Sequence, residues 1–205
     1  MARDLQSITK MSRREGYALH PKALKHMVKR STLPGQHGRS GRRITTSQYS
    51  LQLREKQKVK RLYGLLERQF SNLMAEANRK KGQSGSVLLQ LLERRTDNVV
   101  YRAGFANSRR AARQLVTHGH FTLNGRRIDI PSLRINIGDV LTVRPHSQQT
   151  DYFKRLDDIT GTSDVTVGWL KANRKKFEIT ITGEPSRDEA EPEINEQLIV
   201  EYYSR

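Results

Sequence analysis

The apolar period of this chain changes at Gly119, and that change limits the fold more than any other feature of the sequence. Upstream, Val59, Leu62, Tyr63, Leu66, Phe70, Leu73, Met74 and Ala77 recur at three- and four-residue steps, the stripe of a helix that buries one side. Ser47 suits its N-cap and Gly82 its stop, and so long a run predicts a break into two helices near Glu67 and Arg68. Ser86 is expected to cap a further helix reaching Arg95. Thr96 or Asp97 caps a short one holding Val99, Val100 and Ala103, with Gly104 in the left-handed position beyond it. Asn107 or Ser108 opens the next, whose inner stripe is Ala112, Leu115 and Val116 and which Gly119 ends.

Downstream the period is two. Phe121 and Leu123 precede Asn124-Gly125, and Ile128 and Ile130 follow, a strong hairpin signal because a type I′ turn needs positive φ at both central residues. Leu133, Ile135 and Ile137 alternate, as do Leu141 and Val143 and then Phe177, Ile179 and Ile181. An α+β arrangement follows, with two short helices packed on a small sheet of about four strands. Residues 146–164 are polar and read as a connector, with Trp169 and Leu170 as apolar anchors after it. The stretch from Glu184 to Pro192 is acidic and contains proline, so it reads as a loop or linker. Ile194, Leu198, Ile199, Val200, Tyr202 and Tyr203 give the C-terminal segment enough apolar side chains to dock.

Charge narrows the partner. The chain has 38 Lys and Arg against 21 Asp and Glu in 205 residues, a formal net charge of +17. Such a surplus repels itself in a compact protein and is matched by a polyanion. Nucleic acid is the first expectation, and an anionic membrane is second because no segment reads as an apolar amphipathic anchor. Seven acids lie between Glu184 and Arg205, so the body is more basic than the average. Residues 1–46 carry many Gly, Ser, Arg and Lys and few apolar positions; they read as an arm that orders against its partner or stays flexible. There is no cysteine, which excludes disulfides, thiolate zinc and iron–sulfur sites. No apolar run approaches the roughly 20 residues of a membrane span, and the first residues lack the apolar core of a secretory signal. A soluble, cytoplasmic location without membrane contact is expected.

The residues that could carry chemistry point to binding rather than catalysis. Arg109, Arg110 and Arg113 are three and four apart, which predicts a shared outer helical face, and Arg126 and Arg127 follow on the hairpin. Arginine grips phosphate with a planar fork, and folded RNA is recognised largely through backbone and shape. The alternative is a solvated arginine face. Arg54, Lys58 and Arg61 lie off the apolar stripe and could be solvated or touch RNA. His118 and His120 flank Gly119 and His37 sits in a glycine-rich turn; the pair is too close for a helical metal pair and suits donation to RNA or plain packing. Asp157-Asp158 reads as solvated, and no nucleophile triad, P-loop or dinucleotide fingerprint occurs. Aromatics make up only 6%, which favours folded over single-stranded RNA, and Tyr49, Tyr63 and Phe70 read as core.

The run from Ser108 to Val116, then His118-Gly119-His120, then Asn124 to Ser132 resembles the RNA-binding domain named after small-subunit ribosomal protein four. Leu33-Pro34-Gly35-Gln36-His37-Gly38, Leu51 to Lys58, Tyr63 to Phe70 and the closing Ile194 to Arg205 are similar to the bacterial-type ribosomal protein family itself, in the family's order. The resemblance implies a mainly helical domain (47–93 with 184–205) and an inserted small RNA-binding domain (94–183) of two short helices on a four- to five-stranded sheet, preceded by a basic arm (1–46). It implies binding to the 5′ domain of small-subunit rRNA, early assembly, contact with ribosomal protein five, a place beside the mRNA entry path, an influence on accuracy, and a bacterial or organellar ribosome. Some members also repress their own mRNA. Arg13, Arg14, His37, Arg39, Arg42 and Arg43 of the arm, with Arg109, Arg110, Arg113, His118, His120, Arg126 and Arg127, are the expected RNA contacts. Many relatives hold zinc through cysteines near the N-terminus; this chain has none and resembles the zinc-free variety, with no cofactor expected. The rival expectations are an RNA-modifying enzyme, for which no catalytic domain is visible, and a stand-alone translational repressor.

Overall fold

The computed structural model of the chain describes residues 6–39, 47–161 and 167–204, the side chains of His37 and Arg39 excepted. In chain order the helices α1 (Ile8–Glu15), α2 (Pro21–Lys29), α3 (Gln48–Leu62), α4 (Glu67–Arg79), α5 (Ser84–Glu93), α6 (Thr96–Arg102) and α7 (Arg109–Thr117) come first. Strands β1 (Phe121–Leu123), β2 (Arg126–Ile128) and β3 (Val140–Val143) follow, then the short helices α8 (Pro145–Gln148), α9 (Asp151–Lys154) and α10 (Leu156–Thr160). Strands β4 (Leu170–Asn173) and β5 (Glu178–Ile181) precede a last helix, α11 (Glu196–Tyr203). The chain divides into two units, Met1–Leu88 with Glu193–Arg205 and Leu89–Pro192, so α5 passes from one into the other.

In the discontinuous unit, Ser47 caps α3 by accepting the Ser50 N–H (3.2 Å), as its sequence suggests. The helix ends in a Schellman turn: Gly64 takes φ +66°, and the Leu65 N–H reaches back to the Lys60 carbonyl at 2.9 Å. The expected break therefore falls at Gly64, just ahead of Glu67. Val59, Leu62, Tyr63, Phe70 and Met74 are buried with Ile194 and Ile199 from the returning segment. Tyr49, expected in the core, is exposed, with its ring 5.8 Å from that of Tyr202. Part of the N-terminal arm is folded too. Met11, Leu19 and Ala23 are buried, and the Ser12 hydroxyl accepts the Leu19 N–H (3.2 Å).

A buried lysine links three helices of this unit. Lys56 Nζ donates to Glu67 Oε1 (2.6 Å) and lies 4.4 Å from the centre of the Tyr202 ring, a cation–π contact. Lys60 Nζ donates to the other Glu67 oxygen (2.9 Å), and the Tyr203 hydroxyl donates to Oε1 (3.0 Å). Burial pushes the Glu67 carboxyl up, but the hydrogen bonds from Lys56 and Lys60, the Lys60 charge and Tyr203 outweigh it and hold the pKa at about 2, against an ordinary 4.5. A carboxyl lowered in the folded state stabilises above its unfolded value and loses that contribution as it protonates. Stability should therefore fall as pH drops from 4.5 towards 2, and Glu67→Gln should flatten that fall in urea unfolding across the same range. Parallel profiles would show the carboxylate to be without effect.

In the continuous unit the five strands form one antiparallel sheet in the order β2-β1-β3-β5-β4. Asn124 (φ +48°) and Gly125 (φ +81°) make the β1–β2 turn with the positive pair the dipeptide predicts. One sheet face, with Phe121, Leu141, Val143, Ile179 and Ile181, packs on Val99, Val100, Ala112 and Val116 of α6 and α7. Two expectations fail here. Leu133 to Ile137 makes a single bridge, Arg134 to Arg95, rather than a strand; the Leu133 carbonyl and that of Pro131 ahead of it serve α6, accepting the Thr96 N–H (2.9 Å) and the Asp97 N–H (3.2 Å). Those are orphan donors of a helix start, and satisfying them explains why no side chain caps α6 at Arg95. Residues 146–164 are more than a connector. Phe153 and Leu156 are buried, and Phe153 meets the rings of Tyr152 (5.3 Å), His120 (5.8 Å), Phe177 (6.0 Å) and Phe121 (6.2 Å). Helix α5 also starts at Ser84, a turn ahead of expectation.

Candidate nucleic-acid interface

The arginines of α7 separate into two roles. Ser108 Oγ accepts the Ala111 N–H (3.2 Å), which fixes where the helix starts and turns Ala112, Leu115 and Val116 inward. Arg109 and Arg113, one turn apart, then face α6. Arg109 Nε donates to Asn98 Oδ1 and its Nη2 to Glu191 Oε1, both at 2.9 Å, and its guanidinium lies 4.6 Å from the Tyr101 ring centre. Arg113 Nη1 donates to Asp97 Oδ2 (3.1 Å). Their side chains are only 12% and 13% exposed. The common outer face expected for Arg109, Arg110 and Arg113 is corrected accordingly: Arg110 alone is exposed. Helical spacing sets which residues share a face but not where the carboxylates lie.

A second basic group gathers around Gly119. With φ +71°, this glycine ends α7 in the left-handed region, and a Cβ there would stand 2.7 Å from Arg127 Nε. The Arg127 guanidinium therefore rests against the glycine backbone. Arg144 Nη1 donates to the Gly119 carbonyl (3.3 Å). His118 is exposed, its ring centre 6.0 Å from that of His120. His120 Nδ1 stands 3.0 Å from Ser147 Oγ. Burial, then the charges of His118 and Arg144, hold the His120 pKa below the ordinary imidazole value. Among the described residues Arg127 and Arg144 form no ion pair, so their charge is available to an anion, and His118 lies exposed beside them. Arg126 is exposed as well, but neighbouring strand residues point to opposite faces, so it does not join Arg127. Arg144 escaped the sequence reading. Its only signal is position, one residue beyond the last alternating apolar residue.

In the other unit, Arg13 is spent on the fold: Nη2 donates to the Thr32 carbonyl (2.6 Å) and Nε to the same oxygen (3.0 Å). Lys58 Nζ pairs with Glu55 (2.8 Å) and donates to the Glu193 carbonyl (2.8 Å). Arg54 Nη1 reaches Glu15 (3.2 Å), which also takes Arg61. Burial raises the Glu15 pKa, although the Arg54, Arg61, Arg14 and Lys58 charges oppose it. Arg14 is exposed and lines a cleft of about 200 Å³ with Gln6, Lys10, Met11, Pro34, Gly35 and Arg61. The side chains of His37 and Arg39, and all of Arg42 and Arg43, lie outside the described residues. No group of three or more His, Asp or Glu side chains arranged to hold a metal occurs among the described residues, and without cysteine the chain does not fit a thiolate zinc site. No described helix is long and apolar enough to cross a membrane.

Two family models match consecutive stretches: the ribosomal protein S4/S9 N-terminal domain over residues 3–93, and the S4 domain over residues 94–141. The small ribosomal subunit protein uS4 of Chloroflexus aurantiacus is 50% identical over 207 residues, covering the whole of both chains. The chain belongs to the uS4 family. The uS4 proteins of Herpetosiphon aurantiacus and Clostridioides difficile are 51% and 48% identical, again over the full length of both chains. Members of the uS4 family are proteins of the small ribosomal subunit, and rRNA binding is general to the family. The S4 domain match ends at Leu141, so Arg144 and the β4–β5 hairpin lie beyond it.

Proposed function

We propose that this chain is a structural, non-enzymatic component of the small ribosomal subunit that binds the 5′ domain of small-subunit rRNA early in assembly. The reading extends to contact with ribosomal protein five, a position beside the mRNA entry path in a cytoplasmic ribosome, and a contribution to translational accuracy. The observation that carries the RNA-binding part is the cluster of Arg127, Arg144, His118 and His120 around Gly119, with Arg110 and Arg126 exposed on the same unit. Arg109 and Arg113 hold α7 against α6 and act on RNA through that support. Arg14 and the cations Arg39, Arg42 and Arg43, with His37, extend the contact along the arm, and Arg54 borders it.

Binding of the full chain to a 5′-domain transcript tests this. Each phosphate contact releases counterions, so log K should fall steeply and linearly with log salt. Arg127→Ala with Arg110→Ala should weaken binding and make the slope shallower by about 0.7–0.9 per lost contact. A salt response unchanged by both substitutions would remove this surface from the interface.

A further inference from the structure

We infer that the tip of the β4–β5 hairpin, with α9 beside it, is a second phosphate-binding surface that takes the backbone of folded RNA. The inference rests on the rRNA-binding reading above and adds a contact that lies beyond both matched domains.

The tip is held still from three sides. Arg174 Nη1 donates to the Gly161 carbonyl (2.5 Å) and reaches Asp157 Oδ1 (3.2 Å), while Nη2 donates to the Gly104 carbonyl (3.2 Å). Asn173 Oδ1 accepts the Lys176 N–H (3.0 Å), folding the turn onto its own side chain. Phe177 adopts φ +52°, a left-handed conformation that is strained for a residue with a Cβ and persists where the surroundings impose it. Here the surroundings are the Val143 N–H, which donates to the Phe177 carbonyl (3.0 Å), and the Phe153 ring, edge-on at 6.0 Å.

On this fixed frame the cations divide sharply. Arg174 is consumed by the tip itself. Lys171, Lys175 and Lys176 are exposed and pair with no carboxylate among the described residues, and the same holds for Lys154, next to the Phe153 that packs on Phe177. Arg155 is 72% exposed, with only a 3.8 Å contact to an equally exposed Asp158. Four arginines of the same unit behave differently: Arg95, Arg102, Arg109 and Arg113 each hold a carboxylate. Lysine is also the usual guard of an edge strand, and β4 is an edge. That would account for Lys171. It does not account for Lys175 and Lys176, which lie past Asn173, the last residue of β4 in the ladder, or for Lys154 on a helix. Unpaired charges held on a rigid turn lose little conformational freedom on meeting a phosphate backbone, the partner such an array fits.

The test is binding of the full chain to the 5′-domain transcript across a salt series, with chemical footprinting of the complex. Lys175→Ala with Lys176→Ala should weaken binding about tenfold and lower the salt slope by about 1.4–1.8, two phosphate contacts' worth. It should also remove protection from one short run of nucleotides while the protections removed by Arg127→Ala stay in place. Lys175→Arg with Lys176→Arg should bind like the unaltered protein. Unchanged affinity and footprint in the alanine variant would overturn the proposal and leave the rRNA-binding reading standing, as would self-association of that variant with normal RNA binding, the mark of an edge guard. Failure of the unaltered protein to bind the transcript would overturn both.

Discussion

Asp97→Ala is expected to destabilise the unit of residues 89–192 by about 3–5 kcal/mol, the range for removing one partner of a buried ion pair. Asp97 is 4% exposed, and its carboxylate accepts Arg95 Nε (3.1 Å), Arg95 Nη2 (2.9 Å), Arg113 Nη1 (3.1 Å) and the Asn98 N–H (3.0 Å). Its removal leaves the guanidinium of Arg95, itself 4% exposed, desolvated without a counter-charge, and releases Arg113 from α6. Because that contact steadies α7, RNA affinity should fall along with stability. Urea unfolding of wild type and variant measures the first and transcript binding the second. A loss below about 1 kcal/mol would place Asp97 with the weak surface pairs instead.

Phe153→Ala should cost a similar amount, about 3–5 kcal/mol, for a different reason. The ring is 2% exposed and packs among four others, so its deletion leaves a cavity that the sheet and α9 cannot readily close. It also takes away the ring against which the left-handed Phe177 is held. The variant should therefore show earlier urea unfolding and faster amide exchange in the β4–β5 hairpin. Protection equal to wild type in that hairpin would break the link between the aromatic cluster and the tip.

Features decided by local chemistry were legible in the sequence. The α+β class, the hairpin at Asn124-Gly125, the Ser47 and Ser108 caps and the glycine stops at 104 and 119 depend on neighbours close in the chain. What was missed depends on distant partners. Leu133 to Ile137 alternates like a strand, yet the Leu133 carbonyl is taken by the start of α6 and the Ile135 carbonyl by Arg94. Phe153 sits in a polar stretch, and only the fold shows that four rings surround it. The arginine face failed for the same reason. Asp97 is 16 residues from Arg113 and Glu191 is 82 from Arg109, and nothing local pairs them. Arg127 and Arg144, which pair with no acid among the described residues, could be sorted from the structural arginines only once the acids were placed.

The division of the chain carries a consequence for its synthesis. Helix α11 packs on α3, and Gln52 donates to Glu201 across 149 residues of sequence (2.9 Å). A ribosome translating this message releases α3 and α4 long before it makes the helix that covers them. The intervening span, Leu89–Pro192, needs nothing downstream of itself for its own core and can mature first. The earlier-made helices must wait, with α3 lacking α11 and Phe70 lacking the Tyr203 ring beside it (6.2 Å), until that last segment has been made.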